Sequence, residues 1–168
     1  MLADTMPRRR KKKTVRVIYP STNPLPLRLA PLYAGHLQVF SDASQKRHGG
    51  LAAVLFATPD SEAIVRSRTV PVISSNELEL QASLFALEQA RDLFPSQPLA
   101  LFSDNQDAVT RLNRSKVEGL SRDPELEQML TAADLVKTLA NATVCWIKAH
   151  SSCRGNILAD QHAAEAAS

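Results

Sequence analysis

Only two cysteines, Cys145 and Cys153, occur in 168 residues. Two are too few for a disulfide framework, and their scarcity fits a reducing compartment. No apolar run approaches the roughly 18 residues of a membrane span, and no apolar segment follows the basic N-terminus as a secretory signal would. No internal repeat is visible. These absences set the expectation of a soluble, intracellular protein with no membrane partner. What is present is ordinary: 44% hydrophobic and 22% charged residues, at a length that suits one domain with its own core.

The net charge of +3 is unevenly spread. Residues 1–16 hold Arg8, Arg9, Arg10, Lys11, Lys12, Lys13 and Arg16 against Asp4 alone, a balance of +6 that leaves −3 for the rest. A block of like charge repels itself and does not fold alone; it can bind phosphates or serve as a nuclear address. Pro20, Pro24, Pro26 and Pro31 then keep the backbone extended and deny it regular hydrogen bonding. Residues 1–32 are therefore expected to form a basic, proline-rich tail or linker, and residues 33–168 the globular domain.

Within that domain the hydrophobic period changes from segment to segment. HLQVFSD (36–42) alternates and ends in an aspartate, LAAVLF (51–56) is a second strand after a Gly49-Gly50 turn, and AIVRSRTVPV (63–72) alternates apolar with basic residues. SSNELELQASLFALEQARDLF opens on cap candidates and repeats Leu80, Leu84 and Leu87 at helical spacing until Pro95 ends it. PLALFSD (98–104) is a fourth strand, followed by a short helix from Asn105 to about Arg114, an amphipathic helix over 124–139, a fifth strand over ATVCWIKAH and a closing helix over NILADQHAAEAA. RLNRSKVEGLSR (111–122) reads as a reduced basic patch or as a solvated connection. Trp146 is expected in the core, and His36, His48 and His162 at the surface. The order β-β-β-α-β-α-α-β-α predicts an α/β fold, a five-stranded mixed sheet with helices on both faces.

Two of the strands finish in the letters FSD, at Asp42 and Asp104. Ends of neighbouring strands converge at one edge of such a sheet, where ligands bind. Glu79 and Asp160 add two carboxylates among otherwise apolar stretches. Each acid alone reads as a turn or cap residue. Four together would repel one another and raise each other's pKa unless cations held them, and oxygen-only ligands suit Mg²⁺ or Mn²⁺. A pair of such ions about 3.5–4 Å apart is the arrangement used for in-line phosphoryl displacement.

Four blocks resemble the type 1 ribonuclease H family across about residues 36–166: FSDAS (40–44), SSNELELQASLFALE (74–88), FSDNQDAV (102–109), and WIKAH with GNILAD up to Asp160. In that family a strand ends in a histidine, an asparagine follows six residues on and a helix aspartate ten on; His150, Asn156 and Asp160 repeat the spacing. The loop after His150 is then a mobile arm over a metal site. The resemblance implies a nuclease that hydrolyses the RNA strand of RNA/DNA hybrids with two Mg²⁺ ions, Mn²⁺ substituting. Asp42 would bridge both ions, Asp160 would complete the site of the ion that activates water, and Glu79 with Asp104 would hold the ion facing the leaving oxygen. His150 would shuttle a proton or help product leave. Glu79 rather than Glu77 fits the family pattern, with Leu80 next and Glu88 nine residues on; Glu77 lies about 200° away on a helix and caps it.

The same resemblance makes Ser74, Asn76, Gln106 and Asn156 substrate-binding, alongside a capping role for Ser74, Ser75 and Asn76. Ser75 stands where cellular members often carry asparagine. The turn after Asp42 is short, and His150 stands only 46 positions after Asp104, which leaves little room for the basic handle of bacterial forms. The chain is thus most similar to the short ribonuclease H domains of retroelements and retroviruses, which implies a reverse transcriptase domain as partner in a parent polyprotein. Two other functions share the fold: a catalytically inactive nucleic-acid-binding domain, and a DNA-acting relative such as an integrase or resolvase.

Overall fold

The computed structural model describes residues 23–149 and 153–168. His150 and the run from Arg8 to Lys13 lie outside the described residues. Strands β1 (Leu37–Gln45), β2 (Gly49–Phe56) and β3 (Ile64–Val70) come first, then helix α1 (Ser75–Leu93) and strand β4 (Leu99–Ser103). Helices α2 (Gln106–Glu118), α3 (Pro124–Ala132) and α4 (Val136–Ala140) follow, then strand β5 (Ala142–Trp146) and helix α5 (Arg154–Ala167). The strands form one sheet in the order β3-β2-β1-β4-β5. The first three pair antiparallel, while β1–β4 and β4–β5 pair parallel. The expected five-stranded mixed sheet is therefore present. None of the described helices is long and apolar enough to cross a membrane.

Alternation along the strands sorts the core into two layers. Leu37, Val39, Leu51, Ala53 and Leu55 point toward α1, where they meet Leu80, Ala82, Ala86 and Leu87, and the layer continues onto α2, α3 and α4. Phe40, Val54, Phe56 and Phe102 point the other way, toward Ala159 of α5 and toward Leu25. Phe40 stacks on Phe102 at 5.1 Å and meets Phe56 edge-on at 5.9 Å. Helices cover both faces, as expected from the sequence. Leu25 is fully buried, and the Gly155 N–H donates to the Pro24 carbonyl, so residues just before the sheet lie against the start of α5.

Several local expectations need correction. Gly49 and Gly50 are not the turn: they pair within β2, and the turn lies at Lys46–His48. Their lack of a side chain serves packing instead. A Cβ on Gly50 would stand 2.1 Å from the Ala163 carbonyl oxygen and 2.6 Å from the Ala167 nitrogen, so α5 can cross β2 only there. Helix α5 begins at Arg154, two residues before the expected Asn156, so Gly155 is helical, and a Cβ on it would strike the Phe40 ring at 2.3 Å.

The helix expected over 124–139 is two helices. α3 ends in a Schellman turn, with the Leu135 N–H reaching Leu130 and the Asp134 N–H reaching Thr131, and Asp134 takes φ 58°. The guanidinium of Arg91, on α1, donates to the carbonyls of Ala133 and Asp134, which satisfies the groups freed by the break. Helix α2 runs to Glu118, past the expected Arg114, and stops at Gly119 with φ 99°. Its Arg111 forms no free basic patch. It binds Asp123 with two hydrogen bonds of 2.6 and 2.9 Å and Glu125 with one of 2.8 Å. Trp146 is not in the core either, being 43% exposed at the end of the edge strand.

Candidate metal centre

The β1–β4 pairing ends at the rung Phe40–Phe102. Two residues further on stand Asp42, still within β1, and Asp104, one residue past β4. The two FSD motifs thus deliver a carboxylate to each side of the cleft where the parallel strands part. The third acid comes from across the sheet. On α1 the face toward β1 carries Ser83, Ala86 and Ala90, all fully buried, and the Ser83 hydroxyl lies 3.5 Å from that of Ser41. Glu79 is one turn before Ser83, and helical side chains lean toward the N-terminus. Its carboxylate therefore reaches the end of β1, beside Asp42.

One oxygen each from Asp42, Glu79 and Asp104 can be chosen so that all lie within 4.8 Å of one another. Asp42 is only 4% exposed. Its carboxyl is pushed up to about 9, first by burial, then by Asp104 and Glu79, and slightly by Asp160; the Ala43 N–H, donating to Oδ1 at 2.9 Å, pulls it back. Glu79 is pushed up to about 8 by burial, then Asp104, with a smaller push from Asp160. Like charges in a dry cleft make each ionised form costly. Glu79 Oε1 is also buried with no hydrogen-bond donor. A carboxylate with one orphaned oxygen, grouped with two further carboxylates, is what a hard divalent cation would satisfy, so the residues present fit such an ion.

The other expected residues divide by position. Asp160 sits on α5, exposed, close enough to raise both buried acids but outside the group of three. Ser74, Asn76 and Gln106 are exposed at the N-termini of α1 and α2, on the same sheet edge. Ser74 caps α1 by accepting from the Glu77 N–H. Glu77 itself lies 3.9 Å from Arg111, and it is Glu79 that groups with Asp42 and Asp104. Asn156 is buried at 4% exposure inside α5. Sequence reasoning overlooked Asn105. Read as the start of a helix, it is the N-cap of α2, with Oδ1 accepting from Ala108 at 2.7 Å and Nδ2 directed to Asn76 Oδ1 at 3.5 Å. Its place directly after Asp104 was the available signal.

A mixed sheet with carboxylates at the parting of its central parallel strands defines a superfamily of folds, and comparison with known proteins narrows it. The sequence profile described as RNase H matches residues 35–168. The chain belongs to the RNase H family. Ribonuclease H1 of the halophilic archaeon Halobacterium salinarum aligns with a TM-score of 0.56 at 20% identity, covering 78% of this chain and 98% of that one. LC11 ribonuclease H1, isolated from compost by metagenomics and solved in complex with an RNA/DNA hybrid, gives 0.57 at 15% identity, with 79% and 99% covered. The prototype foamy virus protease–reverse transcriptase gives 0.61 at 16% identity, covering 99% of this chain and 25% of that one. At these identities the likeness establishes the shared fold. No curated protein matches the chain.

Proposed function

We propose that this domain is a divalent-metal-dependent endonuclease that hydrolyses the RNA strand of RNA/DNA hybrids. The observation that carries the reading is the gathering of Asp42, Glu79 and Asp104, with the Glu79 oxygen left unpartnered. In this reading these three and Asp160 hold two Mg²⁺ ions, or Mn²⁺ in their place. Bound there, the ions supply Lewis-acid charge that lowers the pKa of a water and offsets charge on a phosphoryl group. The chain's own side chains do the rest. The carboxylates bind and space the cations, and their protons leave as they do so. His150 is assigned the movement of a proton in the reaction. Ser74, Asn76 and Gln106 line the exposed edge where a hybrid's minor groove would rest, with 2′-hydroxyls marking the RNA strand. Asn156 completes the set assigned to substrate, acting from within α5. LC11 ribonuclease H1, seen with a hybrid, supports this choice of substrate. The likeness to part of a foamy virus polymerase supports the further reading that a reverse transcriptase domain in the same parent chain helps grip the hybrid.

A domain that binds hybrid without turnover is the second reading, favoured by the exposed position of Asp160 outside the group of three. One assay separates the two. Labelled hybrid, RNA duplex and DNA duplex are each incubated with Mg²⁺, Mn²⁺ or chelator. The proposal expects cleavage of hybrid alone, in its RNA strand, abolished by chelator and by Asp104→Asn. Binding without cleavage under every metal would sink it, and cleavage of DNA duplex would move the protein to the DNA-acting branch.

A further inference from the structure

The single tryptophan of the chain is used by none of the roles above. It ends β5, paired with Ser103, and the Ile147 N–H donates to the Ser103 carbonyl at 2.9 Å. That bond is where the β4–β5 pairing stops. Between Ser103 and the start of α2 at Gln106 lie only Asp104 and Asn105, where the chain turns from strand to helix. Backbone groups in such a turn have neither ladder nor helix partners of their own. Here the peptide joining Asp104 to Asn105 is held at both ends by side chains. Its carbonyl accepts from the Trp146 indole N–H at 3.1 Å, and its N–H donates to the Ser103 hydroxyl, also at 3.1 Å. Ser103 is 1% exposed, so water does not compete for that second bond. Trp146, by contrast, leaves 43% of its surface in water, so burial is a weak reason for an indole at this place.

We propose that Trp146 is a positioning residue for Asp104: its indole clamps the Asp104–Asn105 peptide and thereby sets the angle at which the Asp104 carboxylate enters the cleft. The inference rests on the reading of Asp104 as a cation ligand. Groups that orient a metal ligand typically change metal affinity or activity by about 10–100-fold when removed, and small misplacements of reacting groups have effects of similar size.

Trp146→Phe keeps an aromatic ring and removes only the donor. In a folded Trp146→Phe protein, calorimetric titration is expected to show Mn²⁺ affinity weakened about tenfold or more, and kcat on hybrid lowered about 10–100-fold. KM for hybrid should stay near wild type. Unchanged Mn²⁺ affinity and kcat would overturn the inference. So would a loss confined to KM, because that would make the ring a stacking surface for nucleic acid. Should Trp146→Phe fail to fold, the wild-type protein decides, since emission excited at the red edge, where the two tyrosines do not absorb, comes from this one indole. Titration with Mg²⁺ should then change the emission saturably in wild type and not in Asp104→Asn, and a flat response in both would overturn the clamp. Asp104→Asn also separates the two layers of argument: if it binds Mn²⁺ as tightly as wild type, the ligand assignment itself has failed.

Discussion

Replacing Asp42 with Asn should stabilise the metal-free domain while removing the proposed nuclease activity. In the folded protein the Asp42 carboxyl is raised from 3.8 to about 9, by burial first and then by Asp104 and Glu79. A raised acid binds its proton more tightly folded than unfolded. Its contribution to stability is therefore complete below the unfolded value of 3.8 and is lost as pH rises through about 9. Asparagine carries no titrating charge in either state and so escapes the loss. Part of the shift is mutual repulsion that neighbouring acids share, so crediting Asp42 with only about two pKa units is conservative. Each unit is worth about 1.4 kcal/mol, giving about 3 kcal/mol near pH 8. For a domain of this size that corresponds to a rise in Tm on the order of 6–12 °C. The assay is thermal unfolding in chelator at several pH values between 5 and 9, followed by melts with Mg²⁺. Wild type should lose stability as pH rises and recover it with Mg²⁺, whereas Asp42→Asn should be flatter in pH and respond less to the ion. A chelated Asp42→Asn protein that melts at or below the wild-type temperature at pH 8 would refute the reasoning.

Because Glu79 and Asp42 are raised to about 8 and 9, a cation must displace protons to bind. Mg²⁺ affinity should rise with pH from 7 to 9, by up to about tenfold per unit for each proton released. Calorimetry in two buffers of different ionisation enthalpy measures those protons, and pH-independent affinity would count against the cleft. Gly50→Ala places a Cβ 2.1 Å from the Ala163 carbonyl oxygen, so α5 must lift from β2. Urea unfolding should show a loss of about 1–3 kcal/mol or more. Arg111→Ala removes the paired bonds to Asp123, the N-cap of α3, and the bond to Glu125. A loss of about 1 kcal/mol in the same unfolding assay is expected, reduced at high salt.

Much of this architecture was legible because hydrophobic period changes cleanly along the chain. HLQVF alternates, and Leu80, Leu84 and Leu87 recur at helical spacing, which was enough to order the elements of the sheet. The twin FSD motifs were expected to end their strands; β1 instead runs on to Gln45 and β4 stops at Ser103, yet pairing through Phe40–Phe102 makes the two acids neighbours. What the sequence hid were contacts between distant segments. A glycine pair looks the same whether it turns the chain or admits a helix, and only the crossing of α5 over β2 distinguishes them. The break at Asp134 depends on Arg91, some forty residues earlier in the chain. Trp146 reads as core by residue type. It becomes exposed because β5 is the outer strand, and no local pattern states which strand has a neighbour on one side only. Spacing pointed to Asp160 without revealing that it is exposed and lies outside the group of three.

The central claim is that Asp42, Glu79 and Asp104 share a divalent cation. Crystals soaked in Mn²⁺ and measured at an X-ray energy where manganese scatters anomalously test it most directly. The account predicts an anomalous peak between the three carboxylates at a distance of about 2.2 Å from their oxygens. Crystals of the intact domain that show no peak there at saturating Mn²⁺, with the three side chains ordered and turned apart, would contradict it.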